Sequence, residues 1–154
     1  MENVPAAEDP LARFSPLTRE WFHGTFPAPT AAQQQAWSAI ADGHNTLVVA
    51  PTGSGKTLAA FLWAIDDLAQ HPSATSGRSR PGTRVLYVSP LKALAVDVER
   101  NLRTPLTGLA RVAERAELPA PSITVGVRSG DTTAKDRRDL ISRPPDILIT
   151  TPES

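Results

Sequence analysis

Lys56 and Thr57 close the stretch Pro51-Thr52-Gly53-Ser54-Gly55-Lys56-Thr57, which follows directly on the apolar run Leu47-Val48-Val49-Ala50. Glycines at 53 and 55 let a backbone turn tightly enough for several N–H groups to face one anion, and a helix opening at Lys56 adds its positive dipole end. In such a loop Lys56 reaches the β and γ phosphates of a nucleoside triphosphate, where its charge acts on the transferring group. The Thr57 hydroxyl ligates Mg²⁺, and Thr52, Gly53, Ser54 and Gly55 line the cradle. The pattern G-x-x-x-x-G-K-[ST] is met except at its first position, here Ala50. A glycine-rich turn carrying a solvated lysine is the other reading. Lysine usage bears on the choice, because Lys56, Lys92 and Lys135 are the only lysines among sixteen basic residues. A compact ammonium on a flexible stem suits a phosphate cradle better than a planar guanidinium does.

The elements that must position this loop follow from periodicity. Apolar, β-branched runs near Thr46 to Ala50, Arg84 to Ser89, Ile123 to Val127 and Ile147 to Thr151 predict four strands. Between them, Leu58, Phe61, Leu62, Ile65 and Leu68 keep a helical period, as do Leu91, Leu94, Val98 and Leu102. Pro105 is expected to break the second helix, with a further piece running to Leu118. Short apolar strands separated by helical crossovers predict an α/β fold with a parallel sheet covered by helices on both faces.

Three of the four strands end in a small residue and then proline: Ala50-Pro51, Ser89-Pro90 and Thr151-Pro152. Ser89 and Thr151 could act as N-caps with proline at the first helical position. Parallel strands would bring these junctions to one sheet edge, where open α/β folds bind ligands. A second polyanion could then sit beside the nucleotide, with Lys92 adding charge; helix initiation alone would also explain the prolines. Upstream, Thr30-Ala31-Ala32-Gln33 opens a helix that stops near Gly43, and two readings are open for it. As structure it is a capping box between Thr30 and Gln33; as function, the Gln33 amide could match the donor and acceptor on an adenine edge.

At 154 residues with 40% hydrophobic side chains, the chain is about one ordinary globular domain. Without cysteine it can form neither disulfides nor cysteine-ligated zinc, and no apolar run approaches the ~20 residues that span a bilayer. A cytoplasmic location without membrane attachment is the expectation. Formal charge is zero overall but uneven: residues 68 to 112 carry seven basic and two acidic side chains, whereas residues 1 to 67 carry three and seven. Part of that excess falls on Ser73 to Gly82, which has the composition of an exposed connector. His23, His44 and His71 share no metal-ligand spacing, Trp21, Trp37 and Trp63 fall on apolar stripes, Asp66-Asp67 has the spacing of a solvated helix face, and Arg137-Arg138 reads either as such a face or as a contact with nucleic acid.

Together these residues resemble the superfamily 2 helicases, and most closely the large helicase-related (Lhr) group of DEAD/DEAH-like enzymes. Phe26, Pro29-Thr30 and Gln33 are similar to the Q motif, Ala50 to Thr57 to motif I, and Ser89 to Leu94 to motif Ia. Arg128-Ser129-Gly130-Asp131-Thr132 resembles the loop after the third strand in Lhr-type enzymes, and Thr150 to Ser154 resembles motif Ib. The resemblance implies a P-loop, RecA-like domain that uses ATP and Mg²⁺ and binds nucleic acid: single-stranded or duplex DNA, or an RNA:DNA hybrid, in repair. It assigns Gln33 to adenine, with Phe14 as the flanking aromatic. Pro90, Leu91, Lys92, Arg128, Gly130, Asp131, Thr151, Pro152 and Glu153 are assigned to the nucleic-acid strand. The family's Asp-Glu box and second RecA-like domain have no counterpart before Ser154, so the sheet is expected to be incomplete, truncated before the Asp-Glu strand. Residues 1–12 are expected to be a flexible N-terminus and 13–154 the front part of the first motor domain of a longer enzyme. Two other functions stay open: a catalytically inactive fragment that binds ATP or nucleic acid, and a small P-loop kinase.

Overall fold

A computed structural model describes residues 9–72 and 82–154. The expected N-terminal tail, up to residue 8, and nearly all of the connector Ser73 to Gly82 lie outside the described residues. The chain forms two compact units, divided after Trp63.

In the first unit the fold begins earlier than residue 13. Asp9 accepts from the Leu11 N–H at 3.0 Å, and the Leu11 side chain is fully buried. Helix α1 (Pro16–Thr25) starts because Ser15 accepts from Thr18 N and proline occupies the first turn, and it buries Thr18, Trp21 and Phe22. Helix α2 (Ala31–Ala41) carries the full Thr30/Gln33 capping box and ends before Gly43, whose φ of 77° lets the chain turn away. The core joining them is aromatic. Phe14 meets Trp37 at 5.0 Å and Trp63 at 5.4 Å between ring centroids, and Phe22 meets Trp37 at 5.7 Å, all edge to face. Each such pair contributes about 0.5–1.5 kcal/mol beyond area burial.

Helix α3 (Lys56–Gln70) starts in the first unit and buries Ala59, Phe61, Leu62, Ile65 and Leu68 along one stripe. Residues 46–50 ahead of it do not form the expected strand. A strand is stabilised by a ladder, no described residue supplies one here, and Leu47 and Val49 are 88% and 86% exposed.

The second unit holds a three-stranded parallel sheet of β1 (Val85–Val88), β2 (Val125–Arg128) and β3 (Ile147–Thr150), in the order β1-β3-β2. Val85 and Val125 both pair with Ile147, and Val88 and Arg128 with Thr150, so all three strands end level. Central β3 buries Ile147 and Ile149 completely, as the fully flanked strand should. Helix α4 (Lys92–Arg115) joins β1 to β2 and packs on β2 and β3, while the surface helix α5 (Ala134–Ser142) joins β2 to β3.

Pro105 lies inside α4 without breaking it. The missing N–H costs one backbone bond, but Leu102, Pro105, Leu109 and Val112 form one buried stripe that holds both halves in line. The acidic pair of α3 also departs from expectation. Asp66 is buried and accepts from the Gln70 amide at 2.8 Å; only Asp67 faces solvent, where it pairs with Arg84 at 2.8 Å. No helix among the described residues is long and apolar enough to cross a membrane.

Candidate nucleotide and nucleic-acid sites

The loop from Pro51 to Lys56 has the backbone that a phosphate cradle requires. Gly53 and Gly55 adopt φ of 83° and 77°, the left-handed region where a Cβ costs about 1–2 kcal/mol. Ser54 closes the turn on Pro51, its N–H at 3.3 Å and its hydroxyl at 2.6 Å from that carbonyl. The Lys56 ammonium folds back over the loop and donates to the carbonyls of Ala50 at 2.6 Å and Pro51 at 2.7 Å. From Lys56 onward α3 presents first-turn N–H groups with no partner inside the helix, next to the exposed Thr57.

Gln33 braces this loop from the side. Its Oε1 accepts from Thr30 N at 3.0 Å and its Nε2 donates to the Gly55 carbonyl at 3.3 Å, while the Thr30 hydroxyl donates to the Ser54 carbonyl at 2.9 Å. The capping box is therefore formed as expected, and both ends of the Gln33 amide are engaged within the protein. Gly55 is required twice over, because a Cβ there would overlap Nε2 of Gln33. Phe14 is placed elsewhere: at 3% exposure, with Trp37 and Trp63 against its ring, it has no open face for a base.

In the second unit, the parallel register brings the segments after β1, β2 and β3 to one edge. Each begins with a buried hydroxyl residue: Ser89, Ser129 and Thr151. Ser89 does not cap α4. Its N–H extends the ladder to the Thr150 carbonyl at 2.8 Å, and its hydroxyl donates to the Leu91 carbonyl at 2.9 Å. The helix starts two residues later than a Ser89 cap would start it, at Lys92, with no side-chain cap. Thr151 opens a turn, its hydroxyl 2.9 Å from that of Ser154. The Thr151 hydroxyl beside Glu153 also holds that exposed carboxyl below its ordinary pKa, which keeps it anionic.

Pro90, Leu91, Lys92, Gly130, Asp131, Pro152 and Glu153 are exposed along this edge, and Arg128 is half-buried. Thr151 is buried and shapes the turn from beneath. The Arg128 Nε is buried with no hydrogen-bond partner among the described residues. An ion pair joins Lys92 to Asp131.

Arg137 was not singled out by its sequence context, which suggests a solvated helix face. Its guanidinium donates to the carbonyls of Thr132 at 3.0 Å, Gly130 at 3.2 Å and Ser129 at 3.5 Å, and so clamps the loop after β2. Its position one turn into the helix that follows a Ser-Gly-Asp-Thr loop is the available signal. Among the described residues no group of three or more His, Asp or Glu side chains could hold a metal. For Mg²⁺ the loop offers one side-chain oxygen, the exposed Thr57 hydroxyl.

A family model described as DEAD/DEAH box helicase matches residues 30–154. The chain is 73% identical over 146 residues to the Lhr helicase/probable uracil glycosylase of Mycolicibacterium smegmatis, which covers 95% of this chain and 9% of that relative. It is 50% identical over 143 residues to the Lhr helicase/uracil glycosylase of Escherichia coli, 92% of this chain and again 9% of the relative. Among solved structures, the M. smegmatis helicase Lhr bound to ssDNA and AMP-PNP matches with a TM-score of 0.86 at 72% identity, covering 94% of this chain and 18% of that one.

Proposed function

Since the chain belongs to the DEAD/DEAH box helicase family, we propose that it is the ATP-binding portion of an Lhr-like, ATP-dependent nucleic-acid helicase or translocase. The observation that carries this is the Pro51 to Thr57 loop, with two left-handed glycines and an ammonium folded over them. The β and γ phosphates would take the Lys56 ammonium from the uncharged Ala50 and Pro51 carbonyls, adding the attraction between full charges. Thr57 would hold Mg²⁺, which would neutralise phosphate charge. Gln33 links the adenine side to the loop, because an adenine edge would draw its amide from Thr30 and Gly55.

Nucleic acid lies along the sheet edge formed by Pro90 to Lys92, Arg128 to Asp131 and Thr151 to Glu153. Lys92 meets a phosphate there. The uncapped start of α4 presents N–H groups to the same backbone. The ssDNA in the M. smegmatis structure supports DNA as the polymer. A repair role and a cytoplasmic location complete the reading.

Replacing Lys56 by Ala should abolish binding of a non-hydrolysable ATP analogue in a calorimetric titration while leaving the circular dichroism spectrum intact. Unaltered affinity in that variant would refute the assignment of the loop.

A further inference from the structure

β1 and β2 are not neighbours; β3 lies between them. At roughly 4.8 Å per strand their ends are about 10 Å apart, yet Lys92 and Asp131, from the segments that follow the two strands, meet in an ion pair. The Asp131 side of that contact is braced by its own loop. Ser129 N donates to the Thr132 hydroxyl at 2.8 Å, Thr132 N returns to the Ser129 carbonyl at 3.1 Å, and Arg137 holds three carbonyls of the same loop. Thr133 fixes the next step by capping α5. The ion pair thus joins two exposed side chains, 54% and 70% accessible, by way of a rigid bracket.

We infer that Asp131 is an internal competitor for Lys92, so that a nucleic-acid phosphate binds at this edge by displacing a carboxylate rather than by meeting a free ammonium. The inference rests on the reading of this edge as the nucleic-acid interface. The competition has a measurable consequence. A phosphate at this edge must replace an attraction that the carboxylate already supplies, so Lys92 adds less to affinity than an unpaired lysine would, by the modest worth of an exposed ion pair.

The test is a fluorescence-anisotropy titration of a labelled oligo-dT against salt concentration, with the wild type, Lys92→Ala, Asp131→Asn and the double variant. Asp131→Asn should bind about two- to fivefold tighter at low salt, the range of an exposed ion pair. The gain should vanish in the double variant, because it passes through Lys92. A gain that survives without Lys92 would reflect only the lost negative charge and would overturn the inference. So would an Asp131→Asn protein that binds no tighter while Lys92→Ala binds more weakly. If Lys92→Ala changes neither affinity nor its salt dependence, the edge is not the interface, and the interface reading fails together with the inference.

Discussion

Gly55 and Gln33 are coupled by geometry, and a double-mutant cycle can measure the coupling. Gly55→Ala places a methyl at φ 77°, a cost of about 1–2 kcal/mol. The same methyl would overlap Gln33 Nε2 and lie 3.1 Å from its Cδ, so the amide must swing out. Moving it breaks two bonds, one from Thr30 N at 3.0 Å and one to the Gly55 carbonyl at 3.3 Å. At about 0.5–1.5 kcal/mol each, these are worth about 1–3 kcal/mol. Gly55→Ala should therefore cost about 2–5 kcal/mol and Gln33→Ala about 1–3. The double variant loses the two bonds only once, so it should cost no more than Gly55→Ala alone. The coupling energy is then about 1–3 kcal/mol, well above the ~0.5 kcal/mol scatter expected for independent sites. Urea unfolding followed by tryptophan fluorescence is a suitable assay, since Trp21, Trp37 and Trp63 all lie in the unit that contains the loop. Strict additivity would show that Gln33 does not brace Gly55. The capping box would then be the whole account of that residue.

Two further outcomes follow from the second unit. Pro105→Ala should stabilise the protein by about 1 kcal/mol, because the substitution returns about 3 kcal/mol of helix propensity and loses about two buried methylenes at ~0.8 kcal/mol each; a lower urea midpoint would show that the proline ring is needed for packing. Thr151→Val should raise the Glu153 pKa towards the ordinary carboxylate value, read by side-chain NMR titration. Because folding depresses that pKa, the contribution to stability is present above the unfolded value and is lost as pH falls through the folded one. An unmoved titration would mean that the Thr151 hydroxyl is not the cause.

The sequence exposed what is local and periodic. The tight turn from Pro51 to Lys56 was legible because its glycines adopt positive φ, and the capping box because its two partners lie three residues apart. Strands β1, β2 and β3 were legible to within two residues at each end as short apolar runs. Where a tertiary partner decides the outcome, periodicity was a poorer guide. Residues 46–50 have strand composition, yet a ladder needs a neighbour, and composition does not supply one. Pro105 breaks a helix by local rules, but its buried stripe overrules them. Asp66 and Asp67 are adjacent in sequence and sit on different faces, so one is buried and the other pairs with Arg84. Phe14 lies upstream where a base-stacking ring would be sought, and the aromatic core has taken it. The role of Arg137 was poorly legible, since its three acceptors are backbone carbonyls and only its place one turn into the helix after the loop hints at them.

The same logic separates the two lysines assigned to phosphates. Both are held by acceptors of the protein before any phosphate is considered, but the acceptors differ in charge. Lys56 donates to two uncharged carbonyls, and a triphosphate would add to its bonds the attraction of a full negative charge. Lys92 pairs with a carboxylate, and a phosphate diester must match one anion with another. Pre-positioning against carbonyls makes a tight grip, because the exchange gains a charge interaction at each bond. Against a carboxylate the exchange is nearly balanced, and the grip is loose.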